Sequence, residues 1–235
     1  MFKKLERTDS TGMEQVWENE IYSKGRHFNR YPFDVVVSFI YRWGIGERSR
    51  AETRILEVGC GAGNNLWFAA REGFSVAGID ASPSAIGFAK QRFMDEGIQG
   101  DLRCGDFVRL PWENESFDLG IDRCSLVCVG RRDQQNALAE MRRVLRPGGL
   151  FFFNCYSDDH ASAGSGQLLE DGRVSNIQAG TLVGVGALCF NSRRQIESLF
   201  SVGWEILKME HLSLRGDLPA ETGVHTEWRV VTRKR

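Results

Sequence analysis

The sequence predicts an α/β protein built on a doubly wound, mostly parallel β-sheet. Short apolar runs alternate with amphipathic segments from residue 54 onward, and several of these runs end in glycine or an acidic residue. The run Leu150–Phe153 is wholly apolar, as expected for a strand that is covered on both faces. Strands separated by helices pair in parallel through right-handed crossovers. A ligand is therefore expected at the carboxyl ends of the strands.

The predicted elements follow one another in a regular order. Ser82 and Pro83 give one helix an N-cap followed by proline in the first turn. Arg146–Gly149 contains Pro and two glycines and is expected to close another helix. The predicted strands are 55–58, 75–79, 101–104, 117–122 and 150–155, and the predicted helices are 65–72, 82–96, 132–145 and 192–200.

Residues 1–50 are predicted to form a helical N-terminal extension. Pro32 is followed by apolar residues at helical spacing as far as Trp43, which indicates an amphipathic helix ending near Gly44 or Gly46. The aromatic residues upstream have two interpretations, packing against this helix or forming a flap over the ligand and its reaction partner: Trp17, Tyr22 and Phe28.

Composition and charge are ordinary for a single globular domain. The chain has 235 residues and a net charge of −1, so no basic field favours nucleic acid. Its six cysteines form no C-x-x-C pair and are expected to be reduced; only Cys124 and Cys128 are considered for a functional role. No signal peptide is recognised and no apolar run approaches about 18 residues, which predicts a soluble, cytoplasmic protein.

The first strand ends in a glycine-rich turn that predicts a binding site for a nucleotide-like ligand. Glu57 precedes three alternate glycines, Gly59, Gly61 and Gly63. The dinucleotide fingerprint requires another glycine at the position of Asn64, so a pyrophosphate-binding turn is disfavoured. An acidic residue beside a shortened glycine spacing suits a ligand that carries positive charge and no pyrophosphate.

These residues resemble motif I of the class I methyltransferases that use S-adenosylmethionine, and the resemblance extends from about residue 54 to the C-terminus. It implies a Rossmann-like, seven-stranded sheet whose last strand is antiparallel. The predicted strands 204–214 and 225–234 then form the final hairpin, and the second of them is the antiparallel strand. Residues 1–235 are then one domain, comprising the extension 1–50, a cofactor-binding half 51–156, a lid or acceptor loop 157–190 and a C-terminal helix with a strand pair 191–235. The segments 63–74 and 190–234 are similar to methyltransferases of the tellurite-resistance and ubiquinone-biosynthesis-like groups, which act on small acceptors.

The resemblance also implies which residues hold the cofactor. Asp80, with Ala81 beside it, ends the second strand, where a carboxylate can accept hydrogen bonds from both ribose hydroxyls. Asp106 and Phe107 match the adenine position after the third strand. The methionine part of the cofactor is expected near Asp122, which either balances its ammonium group or hydrogen-bonds the turn after the strand. Arg123 or Arg30 is expected to contact its carboxylate, although a surface location is the simpler expectation for Arg123.

The acceptor is predicted from what the remaining residues favour. Asp122–Ser125 lacks the Asn/Asp-Pro-Pro-Tyr run that resemblance would require for nucleobase amines, and no Cys/His pattern indicates a metal. A base is useful for an oxygen acceptor; His225, oriented by Glu227 or Glu221, is ranked first, and His160 and His211 are alternatives. The prediction is transfer to a small molecule, preferably O-methylation of a sugar or secondary metabolite. A non-catalytic S-adenosylmethionine-binding regulator and an NAD-dependent oxidoreductase remain alternatives.

Overall fold

The computed structural model describes residues 17–24, 28–44, 48–216 and 223–235. Its centre is a seven-stranded sheet in the order β3-β2-β1-β4-β5-β9-β8. The strands are β1 Arg54–Val58, β2 Ser75–Asp80, β3 Asp101–Cys104, β4 Phe117–Arg123, β5 Leu145–Tyr156, β8 Trp204–Arg215 and β9 Val224–Lys234. The first five strands pair in parallel, and β9 pairs antiparallel with both β5 and β8. The predicted fold class, including the antiparallel last strand, is confirmed.

Helices cover both faces of the sheet. They are α1 Asp34–Trp43, α2 Asn64–Arg71, α3 Pro83–Asp95, α4 Arg131–Val144 and α5 Arg193–Leu199. The buried side chains form two apolar clusters: α1, α2 and α3 contribute to one, and α4 and α5 to the other. Helix α3 begins as predicted, because the Ser82 hydroxyl accepts a hydrogen bond from the Ala85 amide at 3.0 Å.

Three predicted boundaries are wrong. Helix α1 begins at Asp34 rather than at Pro32, since Phe33 is still extended. Helix α4 ends at Val144, and the turn predicted at Arg146–Gly149 instead lies within β5. The physical reason is a bulge: Phe117 pairs with Leu145 and Leu119 with Leu150, and the extra residues include Gly148, which has a φ of +77°.

The segment between β5 and α5 packs at the carboxyl edge of the sheet. It contains a short antiparallel pair of strands, β6 Gln167–Leu168 and β7 Val174–Ser175. This pair was not predicted, because the sequence of the segment shows no clear periodicity. Its start is tied to the last strand, because the Ala161 amide donates to the Val224 carbonyl at 2.9 Å. Among the described residues, no helix is long and apolar enough to cross a membrane.

Candidate active site

The glycine turn after β1 lies where the strand order reverses, between β2 and β4. All three glycines have positive φ, but they face different neighbours. A Cβ on Gly59 would lie 2.1 Å from the Ser125 Cβ, and a Cβ on Gly63 would lie 3.1 Å from the Ala89 Cβ on α3. A Cβ on Gly61 would lie 2.7 Å from the Tyr22 hydroxyl. Gly59 and Gly63 therefore permit close packing of the fold, and Gly61 forms part of the wall that the N-terminal segment covers.

Glu57 is buried at the end of β1, with 2% of its surface exposed. Its Oε1 accepts a hydrogen bond from Asn65 Nδ2 at 2.6 Å, while its Oε2 has no partner among the described residues. Burial raises the pKa of this carboxyl to about 8, and the nearby Asp122 adds to the rise, although the Asn65 hydrogen bond opposes it. A partly protonated acid with one unused oxygen is unusual in a core. The amide of Asn65 was missed from the sequence, where only the glycine spacing drew attention.

Asn64, predicted as a cofactor-binding residue, faces the N-terminal segment. Its Nδ2 donates to the Tyr31 carbonyl at 2.8 Å, and Asn65 Oδ1 accepts from the Phe33 amide at 2.9 Å. These two bonds attach the chain before α1 to the start of α2. Arg30 is exposed just before this attachment point.

Asp80 connects the ends of β1 and β2. Its Oδ2 accepts a hydrogen bond from the Gly61 amide at 2.8 Å, and its Oδ1 accepts one from the Ser82 amide at 2.9 Å. Burial raises the pKa of this carboxyl, although both backbone hydrogen bonds oppose the rise. Each oxygen retains a lone pair, so the group can still accept two hydroxyl hydrogens. Ala81 is half-buried beside it, and its carbonyl lies 3.6 Å from Cys104 Sγ.

Asp106 and Phe107 follow β3 at the same edge of the sheet. The Gly105 amide donates to the Asp80 carbonyl at 2.9 Å, which brings the end of β3 beside the end of β2. Asp106 Oδ1 accepts from the Val108 amide at 2.9 Å, and Phe107 is partly buried against the apolar cluster that includes α4. The two residues are thus held in a tight turn next to Asp80.

Asp122 caps the turn after β4, as one of its two predicted roles required. Its Oδ1 accepts from the amides of Ser125 and Leu126 at 2.9 and 3.0 Å and from the Ser125 hydroxyl. The residue is fully buried, and its Oδ2 has no partner among the described residues. Burial raises the pKa of this carboxyl to about 6, and the hydrogen bonds from the turn oppose the rise. Val58 pairs with Asp122, so the unpartnered oxygens of Glu57 and Asp122 belong to neighbouring strands.

Arg123 is largely buried, and the expectation of a surface arginine is wrong. Its guanidinium lies 4.5 Å from the centre of the Phe33 ring, and its Nη1 donates to Cys124 Sγ at 2.7 Å. Its Nη2 lies 4.0 Å from Glu227 Oε2 on β9. The aromatic face and the Glu227 carboxylate draw the side chain inward, which a sequence position at a strand end does not reveal.

The structure brings His160 and His225 together. His160 Nε2 lies 3.1 Å from His225 Nδ1, and Thr181 Oγ1 lies 3.3 and 2.8 Å from the same two nitrogens. His160 Nδ1 accepts from the Ser162 amide, which leaves the ring proton of a neutral His160 on Nε2. His225 Nδ1 is then an acceptor, and its Nε2–H faces Glu227 Oε2 at 4.0 Å. Glu227 is therefore placed to orient His225; Glu221, the other predicted partner, lies outside the described residues.

The environments of the two histidines differ. Burial, with a contribution from His225, lowers the pKa of His160 to about 4. Burial would raise the pKa of Glu227, but the nearby His225, the hydrogen bond from Arg229 Nε and the charge of Arg123 outweigh it and lower the pKa to about 2. His211, the third alternative, stacks on Trp228 and lies 2.9 Å from Ser157 Oγ. Burial raises the pKa of the Cys124 thiol to about 12, so a thiolate nucleophile is disfavoured there.

The N-terminal segment contacts the glycine turn and α3. Tyr22 lies over Gly61, and Phe28 stacks on Phe88 of α3 with ring centres 4.4 Å apart. The Glu18 carboxylate accepts hydrogen bonds from the hydroxyls of Ser82 and Ser84. The flap interpretation of the aromatic residues stays a prediction. Sequence reasoning named the aromatics but missed Glu18, because an isolated glutamate has no local pattern.

The described residues hold no group of three or more His, Cys, Asp or Glu side chains that could bind a metal ion. All six cysteines are free.

Comparison with known proteins finds matches to the central segment. Residues 55–149 match the family model of a methyltransferase domain. Methyltransferase GfsG from Streptomyces halstedii is 35% identical over 99 residues, which cover 41% of this chain and 35% of that protein. The matched stretches of such curated relatives span 27 to 44% of the relatives' own lengths.

Solved structures match over nearly the whole chain. The protein in "Conversion of a Disulfide Bond into a Thioacetal Group during Echinomycin Biosynthesis" aligns with a TM-score of 0.68 and 22% identity, covering 95% of this chain and 92% of that one. The [4+2]-cyclase SpnF aligns with a TM-score of 0.66 and 18% identity, covering 94% and 93%. At these identities the likeness shows the fold alone.

Proposed function

Because residues 55–149 match the family model of a methyltransferase domain, we propose that this chain is a class I methyltransferase that transfers a methyl group from S-adenosylmethionine to a small-molecule acceptor. One observation carries the proposal. Acidic side chains end three neighbouring strands, Glu57 on β1, Asp80 on β2 and Asp122 on β4, around a glycine wall at Gly61. Within the described part of the chain, this arrangement offers acceptor groups and no cluster of cations, which suits a cationic nucleoside better than a pyrophosphate.

The side chains present fit the parts of S-adenosylmethionine. The unpartnered oxygens of Glu57 and Asp122 are buried acceptors beside which an ammonium group would be stabilised. Asp80 would accept the ribose hydroxyls, with Ala81 beside it, and Asp106 with Phe107 would bind the adenine. Arg123 is the better placed of the two arginines for the methionine carboxylate, because its buried Nε has no partner among the described residues.

The residues of this chain would act mainly by positioning. When bound, the cofactor supplies a sulfonium methyl that is already activated for in-line displacement. Alignment of two reactants can contribute roughly 7 to 11 kcal/mol to lowering a barrier. The rigid ends of β1, β2 and β4 would provide that alignment, and the segment 157–190 would exclude water as a lid over the acceptor.

We favour an oxygen acceptor, such as a hydroxyl of a sugar or secondary metabolite. His225 supports this choice, since Glu227 faces its Nε2–H and Nδ1 is the acceptor nitrogen. Nδ1 would act as the base once the substrate hydroxyl displaced His160 Nε2–H and Thr181 Oγ1 from it. Thr181 Oγ1, 2.8 Å from Nδ1, shows that a hydroxyl fits at this nitrogen. His160 is the weaker candidate, because the Ser162 amide donates to its Nδ1, its Nε2 carries the ring proton, and burial lowers its pKa to about 4.

A non-catalytic S-adenosylmethionine-binding protein is the second candidate. The observation in its favour is that the two histidines and Thr181 already satisfy one another. The oxidoreductase alternative has less support, because Asn64 both replaces the third glycine of the dinucleotide turn and is bonded to the Tyr31 carbonyl.

Ligand binding followed by turnover tests the proposal. Calorimetry should show binding of S-adenosylmethionine and S-adenosylhomocysteine, and none of NAD. Transfer of radiolabelled methyl from S-adenosylmethionine would then be measured across panels of sugars, phenols, amines and thiols. Preferred binding of NAD would contradict the family-based proposal. Tight binding of S-adenosylmethionine with no transfer to any panel would favour the second candidate.

A further inference from the structure

The outermost strand, β8, carries two leucines on a face that the fold leaves open. Residues 211–215 alternate between polar and apolar side chains, a pattern that is typical of a strand with one buried face. The apolar members are Leu212 and Leu214. Leu214 is 55% exposed, and neither leucine belongs to the two apolar clusters that the described residues form. The sequence pattern is that of a covered surface, and the described part of the chain leaves it open.

The two leucines lie beside the candidate base. Leu214 pairs with His225, and Leu212 pairs with Glu227, across the two strands β8 and β9. Directly opposed residues of an antiparallel pair project from the same face of the sheet, with Cβ atoms about 4.5 to 5.5 Å apart. The two leucines are spaced about 7 Å apart along their strand. They therefore extend the site outward from His225.

A third exposed apolar side chain follows the position that an acceptor hydroxyl would take. Thr181 Oγ1, which lies 2.8 Å from His225 Nδ1, marks that position. Val183 comes two residues later and is 54% exposed. A single exposed apolar side chain is ordinary on a protein surface. Here three of them adjoin one basic nitrogen, and together they are called the apolar rim: Val183, Leu212 and Leu214.

The apolar rim is bounded along β8 by charges that are already paired. Glu210 forms an ion pair with Lys208 at 2.7 Å, and Glu210 lies opposite Arg229 on β9. Arg229 Nε in turn donates to Glu227 Oε1 at 2.7 Å. A sugar body would lose hydration against the leucines without gaining hydrogen bonds there. A hydrocarbon body would instead gain by removing both apolar surfaces from water.

We propose that the acceptor is an amphipathic hydroxyl compound, whose hydroxyl reaches His225 and whose hydrocarbon body rests on the apolar rim. The inference rests on the proposed methyl transfer and names its substrate class. It makes Leu212 and Leu214 the residues that determine specificity. Both lie outside the segment that matches the methyltransferase-domain family. An acceptor with a ring or alkyl chain beside its hydroxyl is thus selected over a free sugar.

The test is calorimetric binding of phenols to the full chain saturated with S-adenosylhomocysteine. The probes 4-methylphenol and 4-hexylphenol carry the same hydroxyl and differ by their alkyl chains. The wild type should bind 4-hexylphenol at least about thirtyfold more tightly, because the longer chain buries more apolar surface. The double variant Leu212→Thr, Leu214→Thr should lose about tenfold for 4-hexylphenol and stay within about twofold for 4-methylphenol. Threonine retains a preference for strands, so the variant changes the surface more than the fold.

A matched control is Val202→Thr. Val202 is 73% exposed and lies near Trp204, which pairs with Lys234 at the opposite end of β9 from His225. This control should bind both phenols as the wild type does, and Leu214→Thr alone should lose about threefold for 4-hexylphenol. Unchanged affinity of the double variant for S-adenosylhomocysteine would show that it is folded.

Three results would overturn the proposal. They are equal affinity of the wild type for the two phenols, tighter binding of methyl glucoside than of 4-methylphenol, and undiminished 4-hexylphenol binding by the double variant. In the last case, a change from dimer to monomer on sedimentation of the double variant would make the leucines an interface between copies. Failure of the wild type to bind S-adenosylhomocysteine would instead contradict the proposed function.

Discussion

The substitution Glu57→Gln is expected to stabilise the cofactor-free protein, with a gain that grows as the pH rises. Burial raises the pKa of the Glu57 carboxyl from 4.5 to about 8. A raised pKa means that the folded state favours the protonated acid. Its contribution to stability is fully present below pH 4.5, the pKa of the unfolded chain, and is lost as the pH rises toward 8.

The magnitude follows from the shift. At about 1.4 kcal/mol per pKa unit, the buried Glu57 lowers the free energy of unfolding by about 5 kcal/mol once the pH exceeds 8. About 2 kcal/mol of that decrease occurs between pH 6 and pH 8. Glutamine resembles the protonated acid in shape and can still accept the hydrogen bond from Asn65 Nδ2. Because it does not titrate, the variant should lack this part of the pH dependence.

Urea unfolding at pH 6, 7 and 8 measures the effect. The difference in unfolding free energy between Glu57→Gln and the wild type should widen by about 2 kcal/mol from pH 6 to pH 8. Glu113→Gln removes the same charge from an exposed position and should give no widening. Parallel pH profiles of the wild type and Glu57→Gln would refute the inference that burial holds this acid partly protonated.

Three further predictions concern the ligand and the acceptor. Asp80→Asn should weaken binding of S-adenosylhomocysteine roughly tenfold to a hundredfold, since a hydrogen bond to a charged group contributes about 1.5 to 3 kcal/mol. If calorimetry gave this variant the same affinity as the wild type, Asp80 would not bind the ribose. Asp95→Asn changes an exposed aspartate and is the control. At pH 7 the same ligand should displace protons, because its ammonium favours the ionised forms of Glu57 and Asp122, so the measured binding enthalpy should change with the ionisation enthalpy of the buffer; identical enthalpies in Tris and phosphate would contradict this. His225→Ala should lower the rate of transfer to an oxygen acceptor by roughly a hundredfold to ten-thousandfold and change its pH profile, whereas unchanged turnover across pH would exclude the base role.

The succession of strands and helices followed from the sequence because its signals are local. Apolar runs, the Ser82–Pro83 cap and the family resemblance at the ends were sufficient for the sheet and its antiparallel last strand. The bulge at Gly148 was not predictable in this way, because Pro and Gly after a helix indicate a turn unless the partner strand is known. Register is a property of two strands, and one sequence run describes only one of them.

The candidate site was predictable in position more than in contacts. Asp80 and Asp106 lie at adjacent strand ends, as expected from topology alone. The direction in which a side chain points was harder to predict. Asn64 faces Tyr31 and Arg123 lies against Phe33, because both side chains contact the N-terminal segment. The pairing of His160 with His225 joins residues 65 positions apart and could not be read from either neighbourhood.

A crystal structure of the full chain with S-adenosylhomocysteine tests the central proposal most directly. The ribose hydroxyls should lie within hydrogen-bond distance of the Asp80 carboxylate, about 3 Å, and the adenine should lie against Phe107 beside Asp106. The amino group should lie on the side of Glu57 and Asp122. A ligand bound elsewhere, or one whose ribose does not contact Asp80, would contradict the assignment of this edge of the sheet as the methyl-donor seat.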